Sequence, residues 1–312
     1  VPYLTSTTAL ELNELPRSLM VVGGGYIGCE LAQMFVRAGT QVTIVTRSRL
    51  LPEAEPEIAE ALTEYFRDEG ITVLSGLSYK RITSSQGNIE LTIDKDGIAQ
   101  TIEANHILLT TGRSPNTDGL GLRKVGIELT ERGAIKVDDR MRTSKHGVYA
   151  AGDVTGRDQF VYMAAYGAKL AALNAMNGNS LVYDNAAMPW VVFSDPQVAG
   201  VGLSDAQARE AGYKTITSIV PLEQVPRAVA ARDTRGLIKL VADVKTDRLL
   251  GGQILAPEGA DSIQTLAIAL KHAMTAKELG DTIFPYLTTV EGLKLAAQSF
   301  GKDVSKLSCC AG

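Results

Sequence analysis

Apolar positions over residues 19–110 follow two periods in turn. Leu19, Met20, Val21 and Val22 form an unbroken apolar run, the mark of a strand covered on both faces. Residues 26–38 change to a helical period that Gly39 closes, and Val42 to Val45 form a second apolar strand. Residues 57–68 place Ile58, Ala61, Leu62, Tyr65 and Phe66 along one helical side, Gly70 ends that helix, and residues 72–74 give a third strand. The period then shortens to two, with turns expected at Gln86-Gly87-Asn88 and Lys95-Asp96-Gly97. A three-stranded meander is expected there in place of a crossover helix. His106 to Thr110 return as a buried strand, and residues 111–116 leave the domain.

Before this region, residues 1–15 hold turn formers (Pro2, the Thr5 to Thr8 cluster, Asn13) without a period, and they read as a link. After it, residues 147–151 read as a short apolar strand running into Gly152-Asp153, followed by an alanine-rich helix over 163–176. A carboxylate at a strand end of an open α/β sheet is placed to accept hydrogen bonds from a sugar or polyol. From residue 186 the pattern is α+β. Strands are expected at 190–193, 216–220, 237–241 and 249–255, and helices at 205–210, 261–272 and 293–298.

The bend between the first strand and helix carries the clearest chemistry. Gly23, Gly25 and Gly28 hold the G-x-G-x-x-G spacing. The first glycine permits the tight turn, the second lets a pyrophosphate approach the backbone, and the third lets helix and strand pack closely. The helix N-terminus then faces a dinucleotide phosphate. The second strand ends Val45-Thr46-Arg47-Ser48-Arg49, without the acid that would bind a ribose 2′-hydroxyl and with two guanidinium groups suited to a 2′-phosphate. NADPH is the expected nucleotide.

Bulk properties narrow the class. The chain has 312 residues, enough for two or three domains, and 45% hydrophobic with 21% charged is ordinary for a globular protein. A net charge of -4 argues against nucleic acid as a partner. No apolar run approaches the roughly 18 residues of a membrane span and no signal peptide is visible, so a cytoplasmic protein without membrane insertion is expected. Three cysteines exclude a secreted disulfide framework. Cys29 reads as a small packed residue. Cys309 and Cys310 stand side by side three residues from the end, with Lys302 and Lys306 nearby favouring thiolate, an arrangement suited to a soft cation or thiol exchange. His106, His146 and His272 are scattered and read as structural or surface residues.

Several segments together resemble the flavin-dependent pyridine-nucleotide disulfide oxidoreductases: residues 23–31, the exit at 110–116, Ala151-Gly152-Asp153, the FSDPQV segment at 193–198 and LTTVEG at 287–292. The FPYLTTVEGLKLAAQ segment at 284–298 and the closing LSCCAG resemble the branch of that family that reduces Hg(II). The resemblance implies an α/β fold: a link over 1–12, a Rossmann-like NADPH domain over 13–116 inserted in a partial FAD-binding domain continuing over 117–185, and an α+β dimerisation domain over 186–312.

It also implies roles. Gly112, Gly152 and Asp153 would meet the flavin, with Val161 supplying backbone contact. Tyr26 would lie beside the nicotinamide face of the flavin, and Glu30 would be the acid that pairs a lysine near flavin N5. Glu291 remains from a His-x-x-x-x-Glu dyad whose histidine is replaced by Tyr286. A phenol with a reference pKa of about 10 is a poor base at neutral pH, which weakens a dithiol-reductase reading and suits transfer of a metal. Hydride would pass from NADPH to FAD and electrons through a dithiol to Hg(II). Cys309 and Cys310 would capture the ion across a homodimer and Tyr286 would help pass it inward. The family's first half carries another glycine fingerprint and a Cys-x4-Cys disulfide, and neither occurs in these residues. A C-terminal portion of a longer enzyme, inactive by itself, is therefore expected. A thioredoxin-reductase-like protein with a C-terminal thiol pair and a non-enzymatic dimeric module binding NADPH and Hg(II) remain as alternatives.

Overall fold

The computed structural model describes residues 1–85 and 87–301; Gln86 and the tail from Lys302, including Lys306, Cys309 and Cys310, lie outside the described residues. The chain divides into two compact units, Val1–Thr111 with Ala186–Gly312, and Gly112–Asn185.

The first unit opens with a departure from expectation. The segment read as a link forms α1 (Ser6–Leu10), capped reciprocally by Thr5 and Thr8, and Leu4 pairs in parallel with Leu108. The threonine cluster was read for turns, but Ser/Thr spaced by three also satisfies the free amides of a helix start. Next come β1 (Ser18–Val22), α2 (Tyr26–Arg37), β2 (Gln41–Val45), α3 (Pro56–Asp68) and β3 (Thr72–Leu74). The meander follows as β4 (Ser78–Ser85), β5 (Asn88–Lys95) and β6 (Ile98–Ala104), and then β7 (His106–Leu109).

The strands β3-β2-β1-β7 form a parallel sheet in that order, and β4-β5-β6 form an antiparallel one. Leu19 and Val21 point into one core with Phe35, Ile58 and Phe66, while Met20 and Val22 point into another with Leu91 and Ile93 beneath the meander. That two-sided burial is why β1 is apolar throughout. Each large side chain so buried contributes about 1.5–3 kcal/mol.

The second unit is small. Its backbone pairs only at isolated bridges, Leu129 with Ile135, Val137 with Thr143 and Arg142 with Tyr149. The strand expected over 147–151 is therefore not a strand: Tyr149 pairs at one residue only, and Asp153 opens a 3-10 turn, Asp153–Thr155. Its long element is α4 (Val161–Met176), beginning two residues earlier than the sequence pattern.

The first unit resumes with β8 (Pro189–Val192), β9 (Gln197–Gly202), α5 (Asp205–Glu210), β10 (Thr215–Pro221), α6 (Pro226–Ala231), β11 (Leu237–Asp243), β12 (Leu249–Ala256), α7 (Gly259–Lys271), α8 (Ala276–Asp281) and α9 (Glu291–Gln298). The antiparallel order is β10-β11-β12-β9-β8. Strand β9 is not among the strands expected from sequence, because two glycines interrupt its short VAGVG apolar run. The first glycine is needed: a Cβ on Gly200 would stand 2.3 Å from Trp190 Cζ2. One face of the sheet covers α7 and α9, while Val192, Val198 and Leu255 join the core beneath α2 and α3. No described helix is long and apolar enough to cross a membrane.

Candidate functional site

The glycine turn has the geometry its spacing predicts, and each glycine acts differently. Gly23 has φ +117° and a Cβ there would sit 2.6 Å from the Thr110 carbonyl. A Cβ on Gly28 would sit 2.2 Å from the Gly23 carbonyl and 2.8 Å from Thr110 Oγ1. Gly25 faces open space, with nothing within 4 Å. It is the N-cap of α2, and no side chain caps that helix start. A twelve-residue helix therefore presents its N-terminal amides beside an open glycine, a cradle that fits a nucleotide pyrophosphate. Thr110 completes the turn by donating from Oγ1 to the carbonyls of Val22 and Gly23, each at 3.0 Å. Sequence reasoning placed Thr110 only in the strand exit; a hydroxyl at a buried strand end facing a glycine turn was its signal.

Arg47 and Arg49 are exposed on the loop after β2. Arg49 NH2 donates to the carbonyls of Pro52 (3.1 Å) and Ala54 (2.6 Å), so the loop itself orients this guanidinium and leaves its other donors for a ligand. Tyr26, the first residue of α2, stacks on Trp190 with ring centroids 5.6 Å apart and 24° between planes. Trp190, the chain's single tryptophan, was not singled out from the sequence. Glu30 Oε1 accepts a hydrogen bond from the Phe193 amide at 2.8 Å. One turn on, Gln33 both donates to the Asp195 carbonyl and accepts from its amide, each at 2.8 Å. The polar side of α2 thus holds the 193–195 segment in place.

Cys29 is fully buried and its Sγ lies 3.6 Å from the Gly24 carbonyl. Burial, with Glu30 adding to it, pushes the thiol far above the ordinary cysteine range. Iodoacetamide is expected to leave Cys29 unmodified in the folded protein at pH 8 and to label it in guanidinium, as peptide mass spectrometry would show; labelling before unfolding would contradict the burial.

Near the end of the first unit, Tyr286 is 59% exposed whereas Glu291 is 3% exposed. Glu291 Oε2 has no hydrogen-bond partner among the described residues, and its amide donates to Thr288 Oγ1 at 3.3 Å. Among the described residues no hydrogen bond joins Tyr286 to Glu291. A groove of about 440 Å³ beside them is lined by Arg227, Glu258, Asp261, Thr265, Thr288 and Thr289. Cys309 and Cys310 lie outside the described residues. Among the described residues no cluster of three His, Cys, Asp or Glu could hold a metal.

Within the second unit, Gly152 has φ +80° and a Cβ on it would lie 3.1 Å from Ala164 Cβ, so the turn bearing the exposed Asp153 presses on the first turn of α4. Val161, at that helix start, is 84% exposed, and α4 has no side-chain cap. An open helix N-terminus beside a carboxylate fits the pyrophosphate and polyol of a flavin. Gly112, at φ +127°, opens this unit. A cavity of about 600 Å³, lined by Arg113, Arg132, Lys136, Glu131, Thr155 and Gln159 among others, lies here and contains none of the site residues named from sequence.

Residues 1–172 match the family described as pyridine nucleotide-disulphide oxidoreductase. The chain belongs to that family. Residues 188–297 match the dimerisation domain of these oxidoreductases. Curated relatives called mercuric reductase align along the whole chain: the Shigella flexneri protein at 48% identity and the Bacillus cereus protein at 45%. The chain spans 55% and 50% of their respective lengths. Among solved structures, the HOCl-induced flavoprotein disulfide reductase RclA from Escherichia coli superposes with a TM-score of 0.86 at 31% identity, covering 95% of this chain and 68% of that one. LpdA from Mycobacterium tuberculosis gives 0.85 at 29%, covering 95% and 64%. The fold is thus the oxidoreductase α/β arrangement, with a parallel nucleotide sheet and an antiparallel dimerisation sheet.

Proposed function

We propose that this chain is the NADPH-binding, partial FAD-binding and dimerisation portion of a mercuric reductase, which reduces Hg(II) to Hg(0). Its domains are taken as 13–116, 117–185 and 186–312, after a short entry at 1–12. The observation that carries the activity is 44–48% identity to mercuric reductases sustained over essentially the whole chain.

When bound, NADPH supplies a hydride and FAD relays its two electrons toward the dithiol that meets the metal. The residues of this chain bind, orient and exclude water. Gly23, Gly25 and Gly28 with the N-terminus of α2 hold the dinucleotide pyrophosphate, and Arg47 and Arg49 hold the 2′-phosphate. Tyr26, braced by Trp190, would cover the nicotinamide side of the flavin. Glu30, fixed through the Phe193 amide, sets a carboxylate one helical turn beyond it. Gly112, Gly152, Asp153 and Val161 contribute to the flavin site. Cys309 and Cys310 take Hg(II) as thiolates and pass it inward by ligand exchange, with the exposed phenol of Tyr286 as an oxygen ligand on the way and the buried Glu291 as the retained acid of the family's dyad. The protein works as a cytoplasmic homodimer.

RclA's description as a disulfide reductase favours a second reading, reduction of a disulfide. The two separate by electron acceptor. Fused behind the N-terminal portion of the Bacillus cereus relative, the chain is expected to oxidise NADPH with Hg(II) and to leave glutathione disulfide unreduced. Turnover with the disulfide and none with Hg(II) would assign it the second activity.

A further inference from the structure

The loop that carries Arg47 and Arg49 is fastened at three points. Behind Arg47, the Thr46 amide donates to the Leu74 carbonyl at 2.9 Å. In its middle, the Leu51 amide donates to the carbonyl of Gly24, within the glycine turn, at 2.7 Å, and both Leu50 and Leu51 are 1% exposed. At its far end the fastening comes from the antiparallel sheet, some 200 residues later in the chain. The Glu55 amide donates to Gln253 Oε1 at 2.7 Å. The Glu55 carboxylate accepts from Lys239 Nζ at 2.9 Å and from the Asp205 amide at 2.6 Å. Lys239 and Gln253 face each other across β11 and β12, and Lys239 also donates to Glu57 at 2.8 Å.

Glu55, Lys239 and Gln253 are each at most 5% exposed. A buried lysine between two carboxylates is costly to assemble, and one role for such a cluster is to fix a single register. Here the element it fixes is the arginine loop. Arg49 is oriented by the carbonyls of Pro52 and Ala54, and the residue that follows Ala54 is Glu55. Any shift of Glu55 therefore moves the carbonyls that aim the guanidinium.

We propose that Lys239, Gln253 and Glu55 form a positioning clamp through which the dimerisation sheet sets the arginine loop and thereby the preference for a 2′-phosphorylated nucleotide. The proposal rests on the reading of Arg47 and Arg49 as 2′-phosphate ligands. Preorganising a charged loop lowers the ordering cost of binding only for the ligand that meets it, so NADPH benefits and NADH does not.

Isothermal titration of the 312-residue protein with NADPH and with NADH tests this. Gln253→Leu removes one neutral hydrogen bond and keeps the ion cluster; Glu55→Gln keeps the shape and removes one charge. Each is expected to raise the Kd for NADPH roughly five- to tenfold and to leave that for NADH unchanged. The proposal is overturned if both nucleotides weaken by the same factor or if neither moves. An Arg47→Ala/Arg49→Ala variant separates the two readings. If it brings the two affinities together while the clamp variants keep them apart, the arginines bind the phosphate and the clamp does not act. If it leaves the preference intact, the arginine reading falls and the clamp with it.

Discussion

A Gly28→Ala variant will lose NADPH binding by roughly 100-fold or more, because a methyl group forces α2 away from the turn it must pack against. The added Cβ would meet the Gly23 carbonyl at 2.2 Å and Thr110 Oγ1 at 2.8 Å, and the first of these is backbone that cannot rotate aside. Overpacking of this kind costs about 1–3 kcal/mol, so a lowered thermal midpoint should accompany the loss. Gly25→Ala separates fold from function. Gly25 has φ -82°, which any residue adopts, and open space around its Cβ position, so stability should change by no more than about 0.5 kcal/mol. Its methyl group nevertheless occupies the approach of the pyrophosphate, and nucleotide titration should show a large loss of affinity. Full NADPH affinity in both variants would mean that the turn is not the nucleotide site.

Lys239→Met is expected to destabilise the protein by about 3–5 kcal/mol, read as a shift in a urea unfolding midpoint, because it strands the buried Glu55 carboxylate and deprives Glu57 of its partner. The pH dependence follows from the two shifted groups. Burial alone would lower the Lys239 pKa, but the hydrogen bonds to Glu57 and Glu55 prevail and it lies above that of an ordinary lysine. Burial pushes Glu57 up, but the hydrogen bond from Lys239 prevails and holds it below the usual carboxylate range. The Lys239 contribution is complete below the unfolded lysine pKa and is lost as pH rises through the raised value. The Glu57 contribution is complete above the unfolded glutamate pKa and is lost as pH falls through the lowered one. Between these limits wild type and variant should differ by a constant amount, and the gap should narrow outside them. A gap independent of pH from 2 to 12 would contradict an ionic origin.

The parallel half of the fold was legible because its signals are local. An apolar run with both faces buried, a glycine turn and amphipathic helices each announce themselves within a dozen residues, and β1, α2, β2 and α3 appear where the pattern placed them. Strand β9 was missed because Gly200 has no side chain to signal burial, its space being filled by Trp190 from the neighbouring strand. The expected strand before Gly152 failed for the opposite reason. An apolar run needs a continuous partner to become a strand, and Tyr149 pairs only with Arg142.

The geometry of the glycine turn could be read from its spacing, whereas the contacts made by Trp190, Gln253 and Lys239 could not. Each acts on a residue distant in sequence: Lys239 lies 184 positions from Glu55. Lys239 and Gln253 face each other on adjacent antiparallel strands, and no local pattern around either points to the loop they hold.

Hg(II)-dependent NADPH oxidation by the fused full-length enzyme, with a thiol such as glutathione in excess, tests the central claim most directly, comparing the unaltered tail with Cys309→Ala/Cys310→Ala. The account predicts turnover with the native pair and a loss of roughly tenfold or more without it, since the tail dithiolate is the group that takes the ion from competing thiols and passes it inward. Equal turnover by the two proteins under that competition would contradict it.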